Sequence, residues 1–225
     1  MLKAPQGLMP FAFKAAIFDF DGTLALSGDV WNEVDHIFLS RREIPWTPDL
    51  AAELSSRGFI DGAAYVIERY GLHETPEAIV EEWNSLAAEL YKKNVRVRHG
   101  ATEYIRALRE QGFPVALATT NGPEILGSLA PQFVPEDLFD VVVYGQEVAR
   151  NKNYPDIYLE TARHLEIEPW GCIVFEDILP GIVSAQRAGM SACAVRTGDP
   201  TQPLEELVAT ADLYLESWEA IQLPE

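Results

Sequence analysis

Short apolar runs recur along this chain at residues 15–20, 114–119, 141–144, 172–175 and 192–195. A continuous apolar run of about four to eight residues, bounded by turn residues, predicts a strand covered on both faces. The first run ends in Asp19-Phe20-Asp21-Gly22-Thr23, which reads as a strand terminating in a turn. Helical spacing of apolar residues fills residues 101–111, 123–129, 156–165 and 181–188, so strand and helix alternate through this part of the chain. Such alternation predicts an α/β fold, a parallel sheet with helices on both faces.

The stretch between the first two strands differs in kind. Residues 30–42, 48–57, 62–70 and 76–94 all show helical spacing, with no strand-like run among them. They predict a helical domain over 26–97, inserted between core segments 1–25 and 98–225. Ser27-Gly28-Asp29 supplies a turn or N-cap signal at one boundary, and Arg98-His99-Gly100 marks the return at the other.

Length and composition fit this picture without adding to it. A chain of 225 residues can bury one substantial core and carry a smaller second module, and 48% hydrophobic against 23% charged residues excludes disorder and fibrous architectures. Charge says more. Asp and Glu number 35 against 17 Lys and Arg, a net charge of -18. That surface repels nucleic acid and anionic membranes, so neither is an expected partner, and an anionic ligand must be captured by a metal or by a few local cations. No apolar run approaches a membrane span, and the opening residues are interrupted by Pro5, Gly7 and Pro10, unlike a signal sequence, so a cytoplasmic location is expected. Cys172 and Cys193 both lie in strand-like runs and are expected as buried free thiols.

The chemistry-bearing residues gather at the predicted strand ends. Asp19 and Asp21 follow the first strand, Thr119 and Thr120 close the second, Lys152 follows the third, and Glu176 and Asp177 end the fourth. In an open parallel sheet, the ends of neighbouring strands share one volume. Up to four carboxylates there would repel one another, so either some hold protons or a divalent cation binds, and Mg²⁺ suits carboxylate and carbonyl oxygens.

The segment Asp19-Phe20-Asp21-Gly22-Thr23-Leu24 resembles the first motif of the haloacid dehalogenase-like superfamily. Asn151-Lys152-Asn153-Tyr154-Pro155-Asp156-Ile157-Tyr158 is similar to its lysine segment, with Asn153 where the family usually has proline. Phe175-Glu176-Asp177, followed by Gly181 and Ala188-Gly189-Met190, resembles its fourth motif. The helical insertion places the chain with members that carry a small helical cap, the β-phosphoglucomutase and phosphoglycolate phosphatase relatives. The resemblance implies a Rossmann-like parallel sheet core with an inserted α-helical cap domain.

It also implies roles. Asp19 would be the nucleophile that accepts a phosphoryl group, and Asp21 the general acid and then base. Mg²⁺ would be held by the Asp19 and Asp177 carboxylates and the Asp21 main-chain carbonyl, with Glu176 in a supporting place. Lys152 and a threonine hydroxyl, Thr119 ahead of Thr120, would hold phosphoryl oxygens, although either threonine is equally suited to capping the helix that Pro123 opens. Arg57, at a turn resembling the family's specificity loop, and Trp31 are candidate substrate contacts. Arg96 and Arg98 read as hinge arginines, and His36 as a surface or packing residue.

The expected activity is hydrolysis of a small phosphorylated metabolite by a monomeric phosphatase. Sugar phosphomutases of the family place a histidine at the position of Trp31 and an arginine near Asp61, and neither is present, so a mutase is the second reading. A phospho-accepting switch or binding module uses a similar residue set. Its phosphorylated aspartate ends the third strand rather than the first, and no helical domain follows the first.

Overall fold

A computed structural model of the chain describes residues 13–28, 30–47, 50, 53–54, 59–197 and 203–221. Six strands form one parallel sheet: β1 (Ala15–Phe18), β4 (Val115–Thr119), β5 (Val141–Tyr144), β6 (Cys172–Glu176), β7 (Ser191–Val195) and β8 (Leu213–Leu215). Their order is β5-β4-β1-β6-β7-β8, so the chain moves outward from β1 on one side and then returns to build the other. β1 therefore sits at the switch point, paired with β4 and β6. Two further short strands, β2 (Ala25–Leu26) and β3 (Arg96–Val97), pair antiparallel where the chain leaves and rejoins the sheet.

The predicted strands are present with small shifts. The first ends at Phe18 rather than Phe20: the Asp19 N–H still donates to Phe175 O at 3.0 Å, but the Phe20 carbonyl accepts the main-chain N–H groups of Leu24 and Ala25, which closes the turn at Gly22. β8 went unread because three residues are too few to show a period.

β1 has no polar residue because both of its faces are buried. Ala15 and Ile17 face a cluster with Ala118, Val174, Tyr158 and Ile182. Phe18, alternating to the opposite face, stacks on Phe175 at 4.8 Å between ring centres. Tyr104, Phe139 and Trp218 complete that aromatic group, at 6.4, 6.1 and 5.9 Å from Phe18. Both cysteines are buried and free.

The chain divides into two compact units: Met1–Gly28, Arg96–Gly122 and Ala130–Glu225 form one, Asp29–Val95 and Pro123–Leu129 the other. The second contains α1 (Val30–Ser40), α2 (Phe59–Tyr70) and α3 (Pro76–Asn94), with α1 and α2 both packed on α3. α3 starts where Thr75 accepts a bond from the Ala78 N–H at 3.3 Å and Pro76 occupies the first turn. Its buried face presents Ile79, Trp83, Leu86 and Tyr91, and Phe38 of α1 meets the Trp83 ring edge-on at 5.3 Å. α4 (Ala101–Glu110) and α6 (Pro135–Leu138) lie in the sheet unit, whereas Pro123–Leu129 groups with the helical unit because its helix, α5 (Pro123–Gly127), packs on α3. The helix predicted over 48–57 lies largely outside the described residues.

Phe18→Ala should lower unfolding stability by about 3–5 kcal/mol, since it empties the centre of the aromatic group. Denaturant titration checks this, and a loss under about 1 kcal/mol would mean that the group is not a packed unit.

Candidate active site

The site is built at the carboxyl ends of β1 and β6, beside the switch point where an open parallel sheet leaves a crevice. Asp19 is the first residue past β1, Glu176 is the last residue of β6 and Asp177 the first past it. Each of the three offers a carboxylate oxygen within 4.8 Å of the others, and all three are buried. Lys152 reaches them from the loop ahead of α7 (Asp156–His164). Its ammonium forms an ion pair with Asp19 Oδ1 and a second with Glu176 Oε1, the latter at 2.8 Å.

The two adjacent acids at the end of β6 are not equivalent. Glu176 Oε1 accepts from Lys152 and, at 3.0 Å, from the Tyr158 hydroxyl. Its Oε2 accepts the main-chain N–H groups of Asp177 at 2.8 Å and Ile178 at 2.9 Å. A carboxylate has about four lone-pair positions, so Glu176 has none to spare for a cation. Gly181, in the first turn of α8 (Leu179–Arg187), allows this arrangement, because a Cβ there would lie 2.3 Å from Glu176 Cδ. Asp177 faces the first-motif turn instead. Its Oδ1 accepts from the Thr23 hydroxyl at 3.3 Å, and a Cβ on Gly22 would lie 1.9 Å from its Oδ2. With φ at 74°, Gly22 is required twice over, by its conformation and by the space it leaves.

Asp21 is half-buried, and both of its oxygens are engaged. The Ser27 hydroxyl donates to Oδ1 and the Asn121 side-chain amide to Oδ2, each at 2.6 Å. Asn121 also donates its main-chain N–H to Thr119 Oγ1 at 3.2 Å, so it links the end of β4 to the first-motif turn. Thr119 is buried and Thr120 exposed.

Burial pushes the Asp19 carboxyl up from 3.8 to about 7 against the pull of Lys152, with Glu176 and Asp21 adding to the rise. Burial and the charges of Glu176 and Asp19 push Asp177 well above the carboxylate range. Burial opposes the charge on Lys152, but Asp19 and Glu176 outweigh it and hold the ammonium well above its ordinary value. The site therefore resists holding all of its carboxylates ionised unless positive charge is added. Oxygen donors alone, two of them on carboxylates with free lone pairs, suit a hard divalent cation. Asp19 and Asp177 could hold such a cation.

Of the sequence-predicted residues, Asp19, Lys152, Glu176 and Asp177 come together in one cluster, and Asp21 lies in the turn that Asp177 contacts at Gly22 and Thr23. Trp31 is on α1 of the helical unit, with its ring centre 5.2 Å from that of Phe59. Arg57 lies outside the described residues. His36 stacks on Trp46 at 4.4 Å, a packing role. Arg98 is more than a hinge residue, for its Nη1 donates to Gly22 O at 2.7 Å. The sequence showed Ser27 only as part of a boundary turn and gave no role to Asn121, Tyr158 or Trp218. Tyr158 alone had a signal, being in the lysine segment itself.

The Haloacid dehalogenase-like hydrolase family model matches residues 16–195, and the chain belongs to this family. It is 26% identical over 212 residues to the validoxylamine A 7'-phosphate phosphatase of Streptomyces hygroscopicus subsp. limoneus, a match covering 94% of this chain and 97% of that protein. It is 28% identical over 211 residues to the bifunctional riboflavin kinase/FMN phosphatase of Arabidopsis thaliana, covering 90% of this chain but 55% of that longer protein. The fold is similar to that of CbbY from Rhodobacter sphaeroides in complex with phosphate. That structure aligns with a TM-score of 0.76 at 24% identity, over 92% of this chain and 95% of that one.

The raised carboxyl of Asp19 makes a prediction about metal-linked stability. The folded state binds more protons than the unfolded one between pH 3.8 and about 7, so in metal-free protein this group's contribution falls as pH rises through that window. A divalent cation should reverse the loss only where the carboxylates are ionised. Millimolar Mg²⁺ should raise the melting temperature by several degrees at pH 8 and by much less at pH 5. An equal rise at both values, or none at pH 8, would contradict the assignment.

Proposed function

We propose that this protein is a Mg²⁺-dependent phosphoric monoester hydrolase, which takes the phosphoryl group of a small phosphorylated metabolite onto Asp19 and passes it to water. The observation that carries the proposal is the buried pairing of Asp19 with Lys152 at the end of β1, with the Asp177 carboxylate within 4.8 Å. The family membership and the phosphatase names of the relatives support it.

In the first step an Asp19 carboxylate oxygen forms a bond to phosphorus as the ester P–O bond breaks. Lys152 offsets charge on the phosphoryl oxygens, and the Thr119 hydroxyl, or that of Thr120, holds one of them. Asp21 gives a proton to the departing alkoxide. In the second step Asp21 takes a proton from water, the water oxygen bonds to phosphorus, and the P–O bond to Asp19 breaks to restore the carboxylate. Asp19, Asp177 and the Asp21 main-chain carbonyl would hold Mg²⁺, which would supply neutralising charge at the phosphoryl oxygens. Ser27 and Asn121 fix the Asp21 side chain by one bond to each oxygen.

Asp19→Asn should cut Mg²⁺-dependent phosphate release from 4-nitrophenyl phosphate to below about one-thousandth while circular dichroism stays unchanged. Undiminished release would remove the mechanism. Hydrolysis is favoured over isomerisation because Trp31 and Asp61 stand where the mutases carry histidine and arginine. A hexose 1-phosphate supplied with its bisphosphate should therefore give free phosphate. Appearance of the 6-phosphate isomer without phosphate would reverse the preference.

A further inference from the structure

The turn carrying Asp21, Gly22 and Thr23 has three consecutive main-chain carbonyls taken by groups from elsewhere in the sheet unit. Arg98 Nη1 donates to Gly22 O at 2.7 Å, and the Arg98 main-chain N–H donates to Leu24 O at 2.8 Å. Between them, Trp218 Nε1 donates to Thr23 O at 2.8 Å. Trp218 stands on a short helical turn, Trp218–Ala220, far along the chain and following β8.

The indole is buried, with its ring centre 5.3 Å from Phe175, 5.7 Å from Tyr104 and 5.9 Å from Phe18. Phe18 and Phe175 are the residues directly before Asp19 and Glu176, so the ring packs beneath the two strand ends that carry the site. The segments of the two donors also touch. Gly100, two residues beyond Arg98, has φ of 85°, and a Cβ there would lie 3.0 Å from the Trp218 carbonyl carbon.

A buried indole N–H needs an acceptor, but packing alone does not dictate which one. The carbonyl it takes belongs to Thr23, whose hydroxyl donates to Asp177 Oδ1 at 3.3 Å. Losing the indole donor would leave that buried carbonyl unpaired and free the turn to shift. Such a shift moves the Asp21 main chain and loosens Asp177 without touching Asp19 or Lys152.

We propose that Trp218 and Arg98 are positioning residues: a clamp on the carbonyls of Gly22, Thr23 and Leu24 that fixes the Asp21 main chain and, through the Thr23 hydroxyl, the Asp177 carboxylate. The proposal rests on the phosphatase reading, because it assigns the clamp to the metal-holding half of that site.

Trp218→Phe keeps an aromatic ring in the cluster and deletes the N–H. Steady-state assays with 4-nitrophenyl phosphate should show kcat down about tenfold, the Mg²⁺ concentration for half-activation up about tenfold, and KM within about twofold of wild type. Arg98→Lys, which keeps the charge but loses the reach of the guanidinium, should move the same two quantities in the same direction. A folded Trp218→Phe protein with wild-type kcat and Mg²⁺ requirement overturns the clamp and leaves the phosphatase reading intact.

Should the variant fail to fold, the wild-type protein decides. Among the indole N–H resonances of its five tryptophans, that of Trp218, assigned by its contacts to the Tyr104 and Phe18 rings, should shift on Mg²⁺ titration and exchange slowly with solvent. An unmoved Trp218 resonance overturns the proposal. Absence of Mg²⁺-dependent hydrolysis in the wild type sinks the phosphatase reading, and the same resonance then still tells whether the turn and a bound cation are linked.

Discussion

Lys152 is the cation that buried Asp19 and Glu176 share, and the arrangement of the site follows from that shared ammonium. Charges taken out of water are costly unless paired and hydrogen-bonded, and removing one partner leaves the others uncompensated. Here the pairing extends outward. Glu176 is held by the Tyr158 hydroxyl and by two main-chain N–H groups, so it presents Lys152 to Asp19 from a fixed base. With Asp177 included, three buried carboxylates face one ammonium, and burial, with the charges of Glu176 and Asp21 adding to it, pushes Asp19 up to about 7. A divalent cation would favour the ionised carboxylates. The centre is thus poorly satisfied on its own and suited to added positive charge.

The sheet order supplies the rest. β1 lies at the point where the chain turns back to build the second half of the sheet, so Asp19 emerges between the ends of β4 and β6. Two glycines then let acidic residues come close to the main chain. Gly22 makes room for Asp177 and Gly181 for Glu176. A Cβ at either position would displace a carboxylate.

Much of this was legible in the sequence because strand ends advertise themselves: an unbroken apolar run, then acids or hydroxyls, then a turn. The parallel sheet, the helical insertion and the cluster of Asp19, Lys152, Glu176 and Asp177 could be read in that way. What could not be read depends on side-chain direction or on contacts between remote segments. Glu176 and Asp177 look alike in sequence, yet successive residues at a strand end point to opposite sides, which leaves one saturated by hydrogen bonds and the other open. The bonds from Ser27 and Asn121 to Asp21 exist only once the turn has closed. Trp218 belongs to no motif, and three-residue β8 gave no period to announce the segment that carries it. Pro123–Leu129, read as part of the core, groups with the helical unit because its packing partner is α3 rather than the sheet.

If Asp19 carries the phosphoryl group covalently, the group can be trapped there. In an Asp21→Asn protein the second step loses its base, while the first still proceeds with 4-nitrophenyl phosphate, whose leaving group needs no proton. Quenching such an enzyme during turnover, reducing it with borohydride and mapping its peptides by mass spectrometry should find homoserine at position 19, the product of an acyl phosphate. Reduction at another carboxylate, or phosphate released in a burst with position 19 unaltered, would contradict the account.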